Sequence, residues 1–158
     1  MANRLPLLSA LSTALSLAFL AFAGSAATDP DLAPDNELGS SHPELGAHGH
    51  NRATASQQGD LNRLAAVQQG WFNSIDARQI GANNVAALIQ VGAYNSILLS
   101  QNGTANRADI AQIGTYNTAQ VAQNGMNNVV QMLQVGMNLG VTVIQTGNSN
   151  VARVISVR

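Results

Sequence analysis

Cysteine and lysine are both absent from this 158-residue sequence, and only 9% of its residues are charged. Without cysteine, neither a disulfide framework nor a thiolate metal site can form. The net charge of −1 offers no basic surface for nucleic acid, because phosphate binding depends on clustered Lys and Arg. Aromatic residues make up 4%, too few for a conventional core built on rings. Beyond residue 50, asparagine, glutamine and glycine are abundant instead.

Residues 1–26 predict a secretory signal peptide. Arg4 provides a positive start, residues 5–22 are almost wholly apolar, and Gly24-Ser25-Ala26 is one of two small-residue cleavage sites. A retained membrane anchor is the alternative, because the apolar run is long enough to cross a bilayer. A proline and several serines within the run favour cleavage, so we expect the mature protein to be exported.

Residues 27–50 predict a disordered lead-in segment. The segment carries five acidic residues, three prolines, no basic residue and few large apolar ones. Such a composition buries too little surface to offset the entropy of ordering the chain. Its three histidines, His42, His48 and His50, are expected to be solvated rather than to bind metal. Composition alone leaves two roles open, a recognition segment for export and a plain spacer.

A strict eleven-residue period begins near residue 51. Nine glycines recur at this spacing: Gly59, Gly70, Gly81, Gly92, Gly103, Gly114, Gly125, Gly136 and Gly147. Two residues before each glycine stands a glutamine: Gln57, Gln68, Gln79, Gln90, Gln101, Gln112, Gln123, Gln134 and Gln145. Three residues after it stands an asparagine, except at Leu139: Asn62, Asn73, Asn84, Asn95, Asn106, Asn117, Asn128 and Asn150. A register kept over nine units indicates a repeat architecture.

Each unit, counted from its asparagine, alternates in the manner of a strand. The third and fifth positions are apolar in all ten units, while the second, fourth and sixth positions mix polar and apolar residues. This period of two predicts strands of about seven residues with one buried face. The glycine-containing links predict tight turns, in which glycine allows a positive φ and the following asparagine tolerates turn geometry.

Strands and turns of constant length fit either an antiparallel meander or a β-solenoid. Only the solenoid explains why the same residue types recur, since stacked coils place each Asn over an Asn and each Gln over a Gln, about 4.8 Å apart. Buried amides are costly unless paired, and identical neighbours in register pair them. We therefore predict an all-β, two-sheet parallel β-solenoid of about five 22-residue coils over residues 51–158, with the Asn and Gln residues as stacking ladders.

Units of the form N-x-A-x-x-x-Q-x-G-x-x-N resemble the repeat of the curlin family, the bacterial subunits of curli amyloid fibres. The resemblance covers residues 51–158, and the signal and lead-in of residues 1–50 are similar to curlin precursors. It implies export through the outer-membrane curli secretion machinery with the lead-in as export signal. It further implies self-polymerisation with other curlin subunits at the cell surface, in adhesion and biofilm matrix. In curlins the Gln and Asn of the repeat are the stacking positions.

The last unit favours a minor, nucleating curlin over a major subunit. It keeps Asn150 but carries Ser156 in place of Gln and Arg158 in place of Gly, with Arg153 on its outer face. A short, basic and degenerate terminal strand resembles the minor curlin, and its arginines are expected to meet the anionic outer-membrane surface or the first major subunit. The alternatives are a major curlin and a non-polymerising secreted β-solenoid that binds a ligand.

No catalytic, cofactor or metal site is predicted. Asp60 is expected in a turn, with Asp76 and Asp109 on the outer faces of opposite sheets, so no carboxylate pair is positioned for acid–base work. Four aromatic residues are expected in turns, where corner packing or coil-end contacts are favoured over the alternative of ligand stacking: Trp71, Phe72, Tyr94 and Tyr116. We therefore expect a structural protein and not an enzyme.

Overall fold

The computed structural model describes residues 50–158, which form ten strands joined by short corners. The strands are β1 (Arg52–Gln58), β2 (Arg63–Trp71), β3 (Ser74–Ala82), β4 (Val85–Ala93), β5 (Ser96–Thr104), β6 (Arg107–Thr115), β7 (Thr118–Met126), β8 (Val129–Met137), β9 (Gly140–Asn148) and β10 (Val151–Val157). The predicted signal peptide and all but the last residue of the predicted lead-in lie outside the described residues. Within residues 50–158, no helix is long and apolar enough to cross a membrane.

The strands form two five-stranded parallel sheets. The odd sheet has the order β1-β3-β5-β7-β9, and the even sheet has the order β10-β8-β6-β4-β2. Each strand pairs with the strand one coil away in a constant register of 22 residues, so that Ile75 faces Ile97 and Ile97 faces Ala119. The prediction of a two-sheet parallel β-solenoid is confirmed, and an antiparallel meander is excluded because consecutive strands lie in different sheets.

The core is a thin layer between the two sheets. It is built from the third and fifth positions of the units, each 0–3% exposed: Ile75, Ala77, Ala86, Leu88, Ile97, Leu99, Ala108, Ile110, Ala119, Val121, Val130 and Met132. The corresponding residues of the first and last coils are partly buried, or exposed in the case of Ala55, because each has a neighbouring coil on only one side. Burial in this fold is therefore a property of neighbouring coils, as in other repeat proteins.

The corners differ in two details from the turns that the sequence predicts. Eight of the ten strands have nine residues and not seven, because pairing between coils continues through the glycine, as in Gly81 with Gly103. The non-glycine residue with positive φ is the one before the asparagine, as in Phe72 with φ 54° and Tyr94 with φ 57°. The asparagine keeps its side chain turned inward, so the preceding residue has to make the bend.

Every repeat glycine has a positive φ, between 100° and 138°. A Cβ added to Gly103 would lie 2.0 Å from the carbonyl oxygen of Gly125 in the next coil. Such a contact is far inside van der Waals distance, and the obstacle is backbone that cannot rotate away. Glycine is therefore required both for its conformation and for the close approach of neighbouring coils.

Candidate functional site: the amide ladders and the edge strands

The glutamines of the odd sheet form one continuous column of hydrogen bonds. Gln57 donates from Nε2 to Oε1 of Gln79 at 2.6 Å, and Gln79 donates to Gln101 at 2.7 Å. Gln101 then donates to Gln123 at 2.8 Å, and Gln123 donates to Gln145 at 2.9 Å. Every amide in this column donates toward the C-terminal end of the solenoid.

The even sheet carries a second column with the same direction. Gln68 donates to Gln90 at 2.8 Å, Gln90 to Gln112 at 2.9 Å, and Gln112 to Gln134 at 2.8 Å. The other amide hydrogen of Gln90 is donated across the core to the carbonyl oxygen of Ser74 at 3.1 Å. Because a backbone carbonyl can only accept, this bond identifies the nitrogen and fixes the direction of the whole column.

The asparagines form two columns that run the opposite way. Asn95 donates from Nδ2 to Oδ1 of Asn73 at 3.0 Å, and its backbone N–H donates to the same oxygen at 3.1 Å. Its Nδ2 also donates to the carbonyl oxygen of Gly114 at 2.9 Å. Its own Oδ1 accepts the backbone N–H of Asn117 at 3.1 Å. One side chain thus joins three successive coils and closes the corner.

The interior amides are fully buried, since the Gln and Asn side chains of the second to fourth coils are 0–1% exposed. A buried amide without partners costs about 1–3 kcal/mol, whereas a paired amide makes a small net contribution. The ladders therefore act mainly against misaligned pairing, because any shift of register would leave these groups unpaired. All the predicted ladder residues lie on these four columns.

Two of the four columns stop at the last coil, whereas Gln145 and Asn150 continue the other two. Leu139 occupies an asparagine position: its backbone N–H still donates to Oδ1 of Asn117 at 3.1 Å, but its side chain accepts nothing from a further coil. Ser156 pairs in register with Gln134, which keeps the usual cross-core bond to the carbonyl oxygen of Thr118 at 3.1 Å and donates its other hydrogen to the carbonyl oxygen of Leu139, also at 3.1 Å. The sequence displays both substitutions, but this redirected amide depends on a corner contact that periodicity does not show.

The two arginines singled out in the last unit lie at the C-terminal edge of the even sheet. Arg153 is exposed on β10, an edge strand, in register with Gln131. Arg158 follows β10, and its backbone N–H donates to the carbonyl oxygen of Val135 at 3.1 Å. Arg158 stands in the glycine column, since a Cβ added to Gly136 would lie 2.5 Å from its carbonyl oxygen.

Three corner aromatics form a stack that the sequence analysis did not connect. The ring of Phe72 lies 5.0 Å from that of Tyr94 at 6°, and Tyr94 lies 4.8 Å from Tyr116 at 2°. His50 is tilted against Phe72 at 5.1 Å, and Trp71 ends β2 rather than lying in a turn. Their spacing of 22 residues, one coil, is the sequence signal that could have revealed the stack.

The described carboxylates are few and separate. Asp76 is exposed on β3, whereas Asp109 is only 5% exposed and accepts from Nε of Arg107 at 2.9 Å. Asp109 lies at an outward position of the even sheet, as expected, and is nevertheless buried. Within residues 50–158, no group of three or more His, Cys, Asp or Glu side chains is placed to hold a metal ion.

The family match found for this chain covers its interior coils. The family model of the curlin associated repeat matches residues 73–103 and 103–136. No curated protein matches the chain significantly. The matched stretch runs through the coils in which every ladder position is an Asn or a Gln, and it ends before Leu139. The interior coils are therefore similar to curlin repeats, which supports the resemblance of this chain to curli-type structural subunits.

Proposed function

We propose that this protein is a structural subunit of extracellular curli-type amyloid fibres and that it has no catalytic role. The observation that carries the proposal is the identity of the ladder groups in successive coils. β1 and β2 begin the solenoid and β9 and β10 end it, and all four are edge strands within the described residues. Edge strands present unpaired N–H and C=O groups that another chain can extend. A contact between unlike ends does not close, so it produces filaments.

The continuation of the register predicts the contacts between two copies. Gln145 accepts from Gln123 and donates one hydrogen to Val129, so its second hydrogen can be donated to Gln57 of the next copy. Oδ1 of Asn150 can accept from Asn62 of that copy. Two of the four amide columns can thus pass from one subunit to the next.

The other two columns cannot continue, which supports the minor, nucleating role over the major one. Leu139 would face Asn51 of the next copy, and Ser156 would face Gln68, without an amide partner in either case. A side chain at Arg158 would also meet the glycine column of the next copy, which tolerates no Cβ. The last coil is therefore a poorer surface for stacking the first coil of a second copy than an interior coil would be. We propose that, with its exposed Arg153, it contacts the anionic outer-membrane surface.

Export belongs to the same proposal. Residues 1–26 act as a cleaved signal peptide, and residues 27–50 are recognised by the outer-membrane curli secretion machinery. Deletion of residues 27–50 is expected to abolish surface display while purified protein still forms β-structure, measured by whole-cell immunolabelling and circular dichroism. Normal display of the deletion variant would make the segment a spacer.

The nucleating role is tested by incubating purified residues 27–158 with a major curlin subunit and following thioflavin fluorescence. We expect a small molar fraction of this protein to remove the lag phase. Removal of residues 152–158 should abolish cell-surface retention or seeding. If the truncated protein still localises and seeds normally, the nucleating assignment is wrong and a major subunit takes its place. If the intact protein neither seeds nor forms fibres, a non-polymerising binding solenoid is the better assignment.

A further inference from the structure

The outer faces of the two sheets differ sharply in polarity. Outward side chains occupy the second, fourth, sixth and eighth positions of each unit, which gives twenty positions per sheet. On the even sheet fourteen of these twenty are Ala, Val, Ile or Leu, whereas on the odd sheet only four are. Packing of the core requires neither composition, because the side chains at these positions point away from the core. The even outer face is therefore an apolar surface that folding of the coil does not explain.

The contrast is clear when β4 is compared with β5, which are interior strands of the even and odd sheets. β4 presents Val85, Ala87, Ile89 and Val91 outward, while the odd sheet's central strand β5 presents a single large apolar residue, Leu98. On the even sheet apolar exposure is greatest at the two edge strands, with Val67 46%, Ile155 47% and Val157 65% exposed. Contiguous apolar patches of this kind mark interaction sites on proteins that work in water.

We propose that the outer face of the even sheet docks against the same face of a second copy of this chain. Five strands at about 4.8 Å and the seven residues from the second to the eighth position at about 3.3 Å each give a footprint of about 550 Å² per copy. Two such faces bury about 1,100 Å², close to the lower limit of a specific protein interface. Sheets that stack face to face lie about 10 Å apart, and small branched side chains can interdigitate at that distance.

Charge and composition favour a second copy over a lipid bilayer. Arg107 and Asp109 lie on β6, the middle strand of the even sheet, and they form an ion pair at 2.9 Å. The centre of the face is thus neutral, while Arg63 and Arg153 lie on the outermost strands, as charges do at the rim of protein interfaces. The outward positions of this face include no Trp, Tyr or Phe, the residues that anchor proteins at membrane surfaces.

This face-to-face pairing is independent of end-to-end stacking. Where the proposed function also holds, the even faces of stacked copies form one continuous stripe along the fibre. Two fibres would then pair along their length, and the shared area would grow with every added subunit. A single pair of copies is the weakest form of the contact, and a pair of filaments is the strongest.

The test uses mature protein, residues 27–158, and two matched substitutions. Ile89→Glu places a carboxylate in the even outer face, and Leu98→Glu places one at an outward position of the odd sheet. Analytical ultracentrifugation of freshly purified protein measures dimerisation, and electron microscopy measures the width of fibres. We expect Ile89→Glu to weaken the dimer at least about tenfold, because it buries an unpaired charge, and to give single-width fibres. Leu98→Glu should match the unsubstituted protein in both measurements.

A second measurement requires neither fibre formation nor a protein that still folds with an introduced carboxylate. Because the sequence has no cysteine, the variants Ile89→Cys and Leu98→Cys each carry a single thiol for a short bifunctional cross-linker. Efficient cross-linked dimers from Ile89→Cys alone would support the pairing even if no fibres formed and the proposed function failed. Equal cross-linking of both variants would overturn it. So would a monomeric protein that binds anionic phospholipid vesicles through Ile89.

Discussion

The interior coils and the last coil follow the same repeat, but they differ in how their ladder positions are hydrogen-bonded. In the interior, Gln101 both accepts and donates within its column and is fully buried. In the last coil, Leu139 and Ser156 occupy ladder positions without an amide, so Gln134 of the preceding coil donates its second hydrogen to the carbonyl oxygen of Leu139. The difference shows that a ladder residue is stabilising only between two like neighbours. The same substitution should therefore have a large effect in the interior and a small one at the end.

The largest contrast is expected at glycine. Gly103→Ala would place a Cβ 2.0 Å from the carbonyl oxygen of Gly125 at φ +124°, whereas Gly140 in the last coil has nothing within 4 Å of an added Cβ. Backbone strain and overpacking together should cost about 3 kcal/mol or more at Gly103. Denaturant unfolding of soluble protein measures the cost. A Gly140→Ala variant as unstable as Gly103→Ala would contradict the close packing of the corners.

The next contrast concerns a single amide. Gln101→Ala leaves the hydrogen of Gln79 and the oxygen of Gln123 unpaired in a dry core, which should lower the free energy of unfolding by about 1–3 kcal/mol. Ser156→Ala in the equivalent position of the last coil removes no ladder bond and should change it little. Thermal unfolding of the two variants compares them directly. Equal losses, or no loss at Gln101, would show that the buried ladder does not stabilise the fold.

Restoring the missing amide should remove part of the difference between the coils. Leu139→Asn places an Nδ2 where it can donate to Oδ1 of Asn117, which already accepts the backbone N–H at 3.1 Å. The gain should be about 1 kcal/mol, the usual net value of a hydrogen bond, because the position is only partly buried. A raised denaturation midpoint is the expected result. A lowered midpoint would mean that the apolar contacts of Leu139 outweigh the ladder bond.

The smallest effect is expected at the corner stack. Tyr94→Ala removes the middle ring of the column between Phe72 and Tyr116 and should cost about 0.5–1.5 kcal/mol. Alanine is tolerated at a corner with positive φ, since Ala105 occupies the same position with φ 55°. The melting temperature should fall slightly, and tyrosine fluorescence should change as Tyr116 loses its neighbour. An unchanged melting temperature would show that the exposed rings stack without stabilising the corner.

The period of the sequence was sufficient to predict the fold, because one register places every Asn, Gln and apolar residue. It did not predict which corner residue takes the left-handed conformation, because the inward turn of Asn73 depends on contacts with Asn51 in the coil before and Asn95 in the coil after. Nor did it reveal the second hydrogen bond of the ladder glutamines from Gln68 to Gln145, which crosses the core to the other sheet. The Phe72 stack and the apolar even face were both readable from spacing alone. Recognising them requires the units to be separated into the two sheets, because consecutive units alternate between the sheets.

Electron cryomicroscopy of fibres grown from residues 27–158 tests most directly whether this chain stacks through its ladders. We expect a cross-section of one two-sheet coil, with coils about 4.8 Å apart along the fibre axis. At each junction Gln145 of one copy should lie over Gln57 of the next. Fibres with antiparallel strands, or with a junction that brings other residues together, would contradict the proposed assembly.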